Sequence, residues 1–299
     1  MTLTPARRIG IVQVLLSGIA FGFLGIFGKT AYGRGIAPGE FLSLRFLIAG
    51  ALLTGFFACT RPAKLKLGAR AHLLCASLGV FGYAVFSSCY FMALKGLSAS
   101  LTVLLLYMYP VIVAAGAWVF FGEAIERRKW WALPLVMLGL VLLISGDLEV
   151  REPVALLFGF ASAFFYSVYI LISRRRLREI DPIVAAGLIQ LAAGLALGAV
   201  HWRDPARLIE VVSGDWPLLL ATALVCTVLA MGLFLAGLKK LQSWEVSVLS
   251  TAEPITGVGL AMLWLGEALS PGQILGAAGL IGAFLLVAWP TKTRTSRPL

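Results

Sequence analysis

The sequence predicts an all-α integral membrane protein with ten transmembrane helices arranged as two inverted five-helix repeats. Three observations carry the prediction. Apolar residues make up 60% of the 299 positions and charged residues 13%, against roughly 45–50% and about 25% in a soluble globular chain. Ten runs are long enough to cross a bilayer, which takes about 20 residues. A shift of 144 positions also lays the second half of the chain on the first. High hydrophobicity excludes a disordered chain. Cys59, Cys75, Cys89 and Cys226 lie in or beside apolar runs without metal-site spacing and read as small hydrophobes.

In chain order the ten segments are Ile9 to Gly28, Phe41 to Thr60, Leu73 to Leu94, Gly96 to Gly122, Trp130 to Gly146, Pro153 to Ser173, Pro182 to Val200, Trp216 to Leu238, Val246 to Gly266 and Ala268 to Thr291. Only the second, at Arg45, and the ninth, at Glu253, carry an internal charge. The first follows Arg7 and Arg8 as a signal peptide would. It exceeds a signal's apolar core of about 7–15 residues and lacks a convincing cleavage site, so it is read as a retained helix. A β-barrel would instead alternate apolar and polar residues over about ten positions. The stretch from His201 to Asp215, poor in apolar residues, is expected to be the longest connection. No room remains for a soluble domain.

The net charge is +11. With the N-terminus inside, inner segments hold Arg7, Arg8, Arg61, Lys64, Lys66, Arg70, Arg127, Arg128, Lys129, Arg174, Arg175, Arg176, Arg178, Lys239, Lys240, Lys292, Arg294 and Arg297, eighteen of the 25 basic residues. The other side holds five: Arg34, Lys95, Arg151, Arg203 and Arg207. Lys and Arg accumulate on the cytoplasmic side, so both termini are expected there. The basic balance is then a topology signal with a component of anionic-lipid contact, and a nucleic-acid partner is disfavoured.

The repeat places Phe21 on Phe165, Ile26 on Ile170, Pro38 on Pro182, Ala49-Gly50 on Ala193-Gly194, Leu94-Lys95 on Leu238-Lys239, Leu97 on Leu241, Pro110 on Pro254 and Gly122-Glu123-Ala124 on Gly266-Glu267-Ala268. Prolines and a Gly-Glu-Ala triplet in register mark a duplication, with units at 1–148 and 149–299. Because each unit has five helices, the second enters from the opposite side, and the two are inverted. Inverted repeats let two halves rock around a central site and exchange inward- and outward-facing states, the architecture of secondary transporters.

Taken together, the prolines in the fourth helix of each unit (Pro110, Pro254) and the Gly-Glu pairs that end those helices (Gly122-Glu123, Gly266-Glu267) resemble the EamA repeats of the drug/metabolite transporter superfamily. The resemblance covers essentially the whole chain. It implies export of small metabolites through the inner membrane, and length and aromatic content are most similar to bacterial amino-acid exporters, the aromatic amino-acid group included. Arg45 aligns with Ile189, so the arginine belongs to one unit only.

A mid-helix charge costs at least about 2.5–3.5 kcal/mol on the translocon scale, so each is a functional candidate. Glu253 stands just before Pro254, whose ring removes a backbone hydrogen bond and frees a carbonyl. It is a candidate for binding a substrate ammonium or for carrying a proton, against a purely structural buried glutamate. Tyr83, Ser87 and Tyr90 fall on one helix face, and with Tyr107, Tyr109, Pro110, Tyr166 and Tyr169 they form a candidate cavity wall, against ordinary interhelical hydrogen bonding. Glu123 and Glu267 are candidate gates at opposite faces, held through a helix N-terminus or through Arg127 or Arg128, against solvated turns. Lys29 and Arg45, near Glu40, are candidate charge partners expected to snorkel or to pair with carboxylates, with substrate contact as the lesser alternative. Trp130, Trp131, Trp216 and Trp289 read as interfacial belts.

Gly18, Gly22, Gly25 and Gly28, and Gly272, Gly276, Gly279 and Gly282, form small-residue faces for helix contact. The first face also suits substrate space or bending, and the second suits packing or a weak dimer contact. No phosphate loop, nucleophile triad or metal cluster is present in the sequence, so no cofactor is called for and a gradient is the expected energy source. The expected partners are an amino acid or related metabolite, the lipid bilayer and, as a candidate, a proton, with the protein a monomer or weak homodimer. The competing readings are a passive channel and an intramembrane enzyme acting on lipids.

Overall fold

The computed structural model describes residues 4–127, 129–144, 148–201, 204–265 and 269–290. Nine helical spans among these are long and apolar enough to cross a membrane: α1 (Pro5–Gly33), α2 (Pro38–Thr60), α3 (Ala69–Gly96), α4 (Ala99–Phe121), α6 (Val154–Arg176), α7 (Pro182–His201), α8 (Ala206–Leu238), α9 (Ser243–Trp264) and α10 (Pro271–Ala288). The tenth, α5 (Lys129–Leu143), is apolar but shorter. Large apolar side chains such as Phe81, Trp118, Phe120, Leu157 and Leu263 face outward, as lipid contact requires of helices whose small residues face the interior. The chain is thus a multi-pass membrane protein.

Several boundaries differ from the sequence reading, two of them with a clear local cause. The first helix begins at Pro5, with Thr4 accepting a hydrogen bond from Arg7 N–H as its cap. The stretch expected to be a loop up to Asp215 is helical from Pro205 onward. Asp204 caps it through Ala206 N–H, and Leu208 and Val211 pack against Ala31, Ile36 and Phe41. It kinks at Asp215, two residues before Pro217, where the proline ring cannot continue the helical ladder.

Extensive packings include α2 with α7, α5 with α10, α3 with α6, α1 with α8, α3 with α7, α2 with α8, α1 with α9, α4 with α6, and α4 with α9. Adding five to each helix number turns the list into itself, so the fold has a two-fold axis relating the halves. Inversion shows in which loops meet. Lys64, in the α2–α3 connection, pairs with Asp181, in the α6–α7 connection, and Arg7 reaches the Val287 carbonyl. On the opposite face the α3–α4 turn is tied to the α5–α6 segment by Arg151 N–H and Glu152 N–H donating to Gly96 O. Both described chain ends therefore share one face, called here the terminal face.

Local irregularities repeat across the axis. A wide helical turn at Leu78–Ala84 of α3 has its counterpart at Leu224–Leu229 of α8. The ladder of α4 breaks near Tyr107 and restarts at Tyr109, and that of α9 breaks near Ser250 and restarts at Ala252, each just ahead of a proline. The break in the first span does not repeat. The first span is interrupted at Phe23, whereas α6 runs unbroken through Ser167, the matching position. The helix 10 glycine face packs within the molecule: a Cβ on Gly276 would lie 2.5 Å from Leu143 N and 2.6 Å from Gly139 O.

Candidate functional site

A cavity of about 450 Å³ lies between the halves. Its wall is drawn from the part of each span nearer the face opposite the termini: Phe21 to Tyr32 of α1, Phe41 to Arg45 of α2, Tyr83 to Leu94 of α3 and Ala99 to Tyr109 of α4. Tyr166 of α6 and Glu253, Pro254 and Gly257 of α9 form its floor near the middle of the bundle. The cavity thus opens away from the terminal face.

Eight of the ten cavity residues named from the sequence line this wall: Tyr83, Ser87, Tyr90, Tyr107, Tyr109, Tyr166, Glu253 and Pro254. Two do not. Tyr169 is buried behind the wall, stacked at 6.1 Å on Tyr166 with its hydroxyl donating to Met231 Sδ at 3.5 Å. Pro110 sits inside α4, where it shapes the backbone rather than the surface. Phe86, Phe91, Tyr32 and Phe41 also line the cavity and were missed, because an apolar ring in a membrane helix carries no sign of whether it faces lipid, core or cavity.

The floor is aromatic. Ring centroids are 4.8 Å apart for Phe86 and Tyr166, 4.8 Å for Tyr109 and Tyr166, and 4.9 Å for Tyr83 and Phe86. Tyr109 donates to Ser247 O at 3.2 Å, which ties α4 to α9. Glu253 stands among these rings beside Tyr107, in electrostatic reach of Arg45. Its own N–H donates to Ser250 O, the carbonyl that Pro254 leaves without its helical donor.

Arg45 departs from the expectation of snorkelling or pairing near Glu40. It is 3% exposed, stacks over the Phe46 ring at 4.5 Å and contributes to the cavity wall. Its Nε and Nη1 have no hydrogen-bond partner. Glu40 instead caps its own helix through Ala37 N–H and lies 3.9 Å from Arg207. Lys29 lines the cavity as well.

The terminal face is closed. The positions 144 residues after Gly25, Lys29, Arg45, Tyr83, Ser87, Tyr90 and Leu94 are Tyr169, Ser173, Ile189, Thr227, Met231, Phe234 and Leu238, all buried and none lining the cavity. One set of equivalent positions is open and the other is packed shut. Polar ties lie beyond this packed layer. Glu123 accepts from Ser243 N–H at 2.8 Å and from its hydroxyl at 3.2 Å, at the N-terminus of α9. Burial raises the Glu123 carboxyl above its ordinary range against these bonds and against Arg174, which lies 3.9 Å away. Arg174, rather than the expected Arg127, is the basic neighbour of Glu123; Arg128 and Glu267 lie outside the described residues. Glu245 is held by Arg7 at 2.6 Å and Lys129 at 4.0 Å, which joins α9 to α1 and α5.

The duplication of the bundle is matched by what the chain is similar to. The pattern of the EamA-like transporter family fits residues 8–145 and again residues 153–289. The chain belongs to the EamA-like transporter family. This EamA-like transporter is 27% identical to an uncharacterised transporter of Archaeoglobus fulgidus, over 94% of this chain and 97% of that one. It is 28% identical to a probable amino-acid metabolite efflux pump of Salmonella typhimurium, over 85% and 87% of the two chains. It is 24% identical to the threonine/homoserine exporter RhtA of Escherichia coli K12, over 83% and 80%. A solved crystal structure shares its fold with a TM-score of 0.78 at 22% identity, over 95% of this chain and 96% of that one.

Proposed function

We propose that this EamA-like transporter exports small metabolites, amino acids including aromatic ones foremost, across the bacterial inner membrane by alternating access. The observation that carries the reading is the unequal state of equivalent positions: Arg45, Tyr83 and Ser87 line a cavity while Ile189, Thr227 and Met231 are packed shut. Rocking one half against the other would exchange the two, as inverted repeats permit. The count of basic residues favours cytoplasmic termini, so the described state is open to the outside. Two relatives named as an efflux pump and an exporter of amino-acid substrates support the substrate class.

In this reading Glu253 receives the substrate ammonium, or a proton, at the cavity floor, and the tyrosines carry the substrate's apolar parts. Glu123 is a latch on the cytoplasmic side, holding the N-terminus of α9 while the cavity faces out. The two units turn as bodies 1–148 and 149–299. Counterflow of a panel of amino acids and nucleobases in liposomes containing the purified protein tests the reading. Saturable uptake driven by unlabelled substrate inside is expected. Flux that neither saturates nor shows counterflow marks a passive channel and overturns it.

A further inference from the structure

We infer that Arg45 and Glu253 are the two poles of a zwitterion site, the guanidinium receiving the carboxylate of an α-amino acid and Glu253 its ammonium, with a bulky apolar side chain held by the aromatic floor. The inference rests on the transport reading above and assigns the chemistry of its site.

The guanidinium is the first argument. Arg45 is 3% exposed, yet Nε and Nη1 lack hydrogen-bond partners, and a buried donor left unpaired calls for an explanation. A planar fork of N–H groups matches a carboxylate in geometry and charge. The scaffold itself does not need the charge, because the equivalent position in the other half is Ile189, fully buried in the same α2–α7 seam.

Glu253 gives the second. Its equivalent is Tyr109, so this charge too is present once on a duplicated frame. Arg45 and Glu253 line the same cavity, as does Lys29, whose equivalent is Ser173, and Arg45 and Glu253 interact electrostatically. A ligand carrying both charges gives each of the two groups a direct partner, which a cation or an anion alone does not. Discrimination by an unpaired buried charge is strong.

The third argument is the space that both residues line. About 450 Å³ bounded by Tyr83, Phe86, Tyr107, Tyr109 and Tyr166 accommodates a large apolar or aromatic side chain in addition to the amino-acid head.

The test is counterflow of labelled L-phenylalanine in liposomes containing the full chain, with L-phenylalaninamide, which lacks the carboxylate, and N-acetyl-L-phenylalanine, which lacks the ammonium, as competitors. For the unaltered protein, half-inhibition by either analogue is expected at a concentration roughly tenfold or more above that for phenylalanine, the effect of losing one charge-assisted contact. Arg45→Met should abolish the preference over the amide and keep the preference over the N-acetyl compound, and Glu253→Gln should do the reverse. Size-exclusion profiles report folding, and Arg45→Lys, which keeps the charge without the fork, should retain part of the preference. If the variants do not transport, the unaltered protein's analogue ranking decides. Equal inhibition by all three compounds, or variants that shift both preferences alike, overturns the zwitterion site. Counterflow of another substrate without phenylalanine also overturns it while leaving transport intact. Absence of counterflow for every compound overturns the transport reading instead.

Discussion

Gly50 lies against the backbone of Leu191 so closely that a Cβ on it would be 2.4 Å from Leu191 N, and 144 residues on, Gly194 meets Leu47 the same way at 2.6 Å. Leu191 is itself 144 residues after Leu47. The α2–α7 seam is therefore one contact made twice about the axis, with a glycine hole on each helix filled by a backbone on the other. Gly50→Ala and Gly194→Ala should each lower stability by about 1–3 kcal/mol, the usual size of overpacking. Because both push the same two helices apart, the double variant should lose less than the sum. Gly55→Ala, whose Cβ would meet nothing within 4 Å, is the control. Thermal unfolding in detergent measures all four.

Glu245 is 1% exposed and carries a charge at the terminal end of α9, with Arg7 Nη2 at 2.6 Å and Nη1 at 3.2 Å. Removing one partner of a buried ion pair is costlier than removing both, because the remaining charge has lost its compensation. Arg7→Ala should destabilise the protein by about 2–4 kcal/mol, less than a fully unpaired carboxylate because Lys129 remains at 4.0 Å. Adding Glu245→Gln should restore part of that loss. A double-mutant cycle in detergent reads the coupling; additive losses would mean the pair does not hold the face.

The architecture was legible in the sequence because duplication and charge leave marks in composition and spacing. The 144-residue shift already pairs Gly50 with Gly194 and Pro110 with Pro254, the positions that seal the central seam and break α4 and α9. Tyr83, Ser87 and Tyr90 were readable as one face because the wide turn ends at Ala84, one residue after Tyr83, and regular helix from Val85 carries the other two. Tyr169 was not separable from Tyr166, since three residues along a helix keep nearly the same direction and only the position of α8 decides that one faces Met231. For a related reason the sequence alone favours snorkelling or pairing for Arg45 over substrate contact. A lone arginine near a helix end usually reaches for water, and only the assembled bundle shows that its environment is a cavity. The helix after Pro205 was hidden by polar residues on a segment whose apolar positions are few but meet Ala31 and Phe41.

Asp181 joins Lys64 at 2.5 Å across the connections of the terminal face and accepts from Ile183 N–H at the start of α7. Burial alone would raise its carboxyl, but the Lys64 contact and the backbone N–H groups outweigh it and hold the group below its ordinary range. A depressed carboxyl contributes stability that is present above its unfolded value, about 3.9, and is lost as pH falls through the lower folded value. The wild type should therefore lose slightly more stability than Asp181→Asn as pH drops below about 4. The difference should be small because the pair is partly solvated. Melting temperatures of the two proteins across that range measure it, and parallel curves would show that the contact contributes nothing.

Two glycines one turn apart on α1 should respond in opposite ways. A Cβ on Gly22 would lie 2.5 Å from Thr256 Cβ and 2.9 Å from Glu253 O, so this residue is part of the α1–α9 contact. Gly25 lines the cavity and has nothing within 4 Å. Gly22→Ala should destabilise the protein by about 1–3 kcal/mol by forcing the helices apart. Gly25→Ala should raise stability by a few tenths to about 1 kcal/mol, because alanine is the better helix former and the space is free, and should leave transport intact. Gly25→Phe puts a ring into the cavity from the side where the other half carries Tyr169, so transport should fall sharply with little change in unfolding temperature. Stability and counterflow measured together on the three variants separate a packing glycine from one that keeps substrate space open. Loss of transport in Gly25→Ala at full stability would show that flexibility near Phe23, rather than volume, is what this glycine supplies.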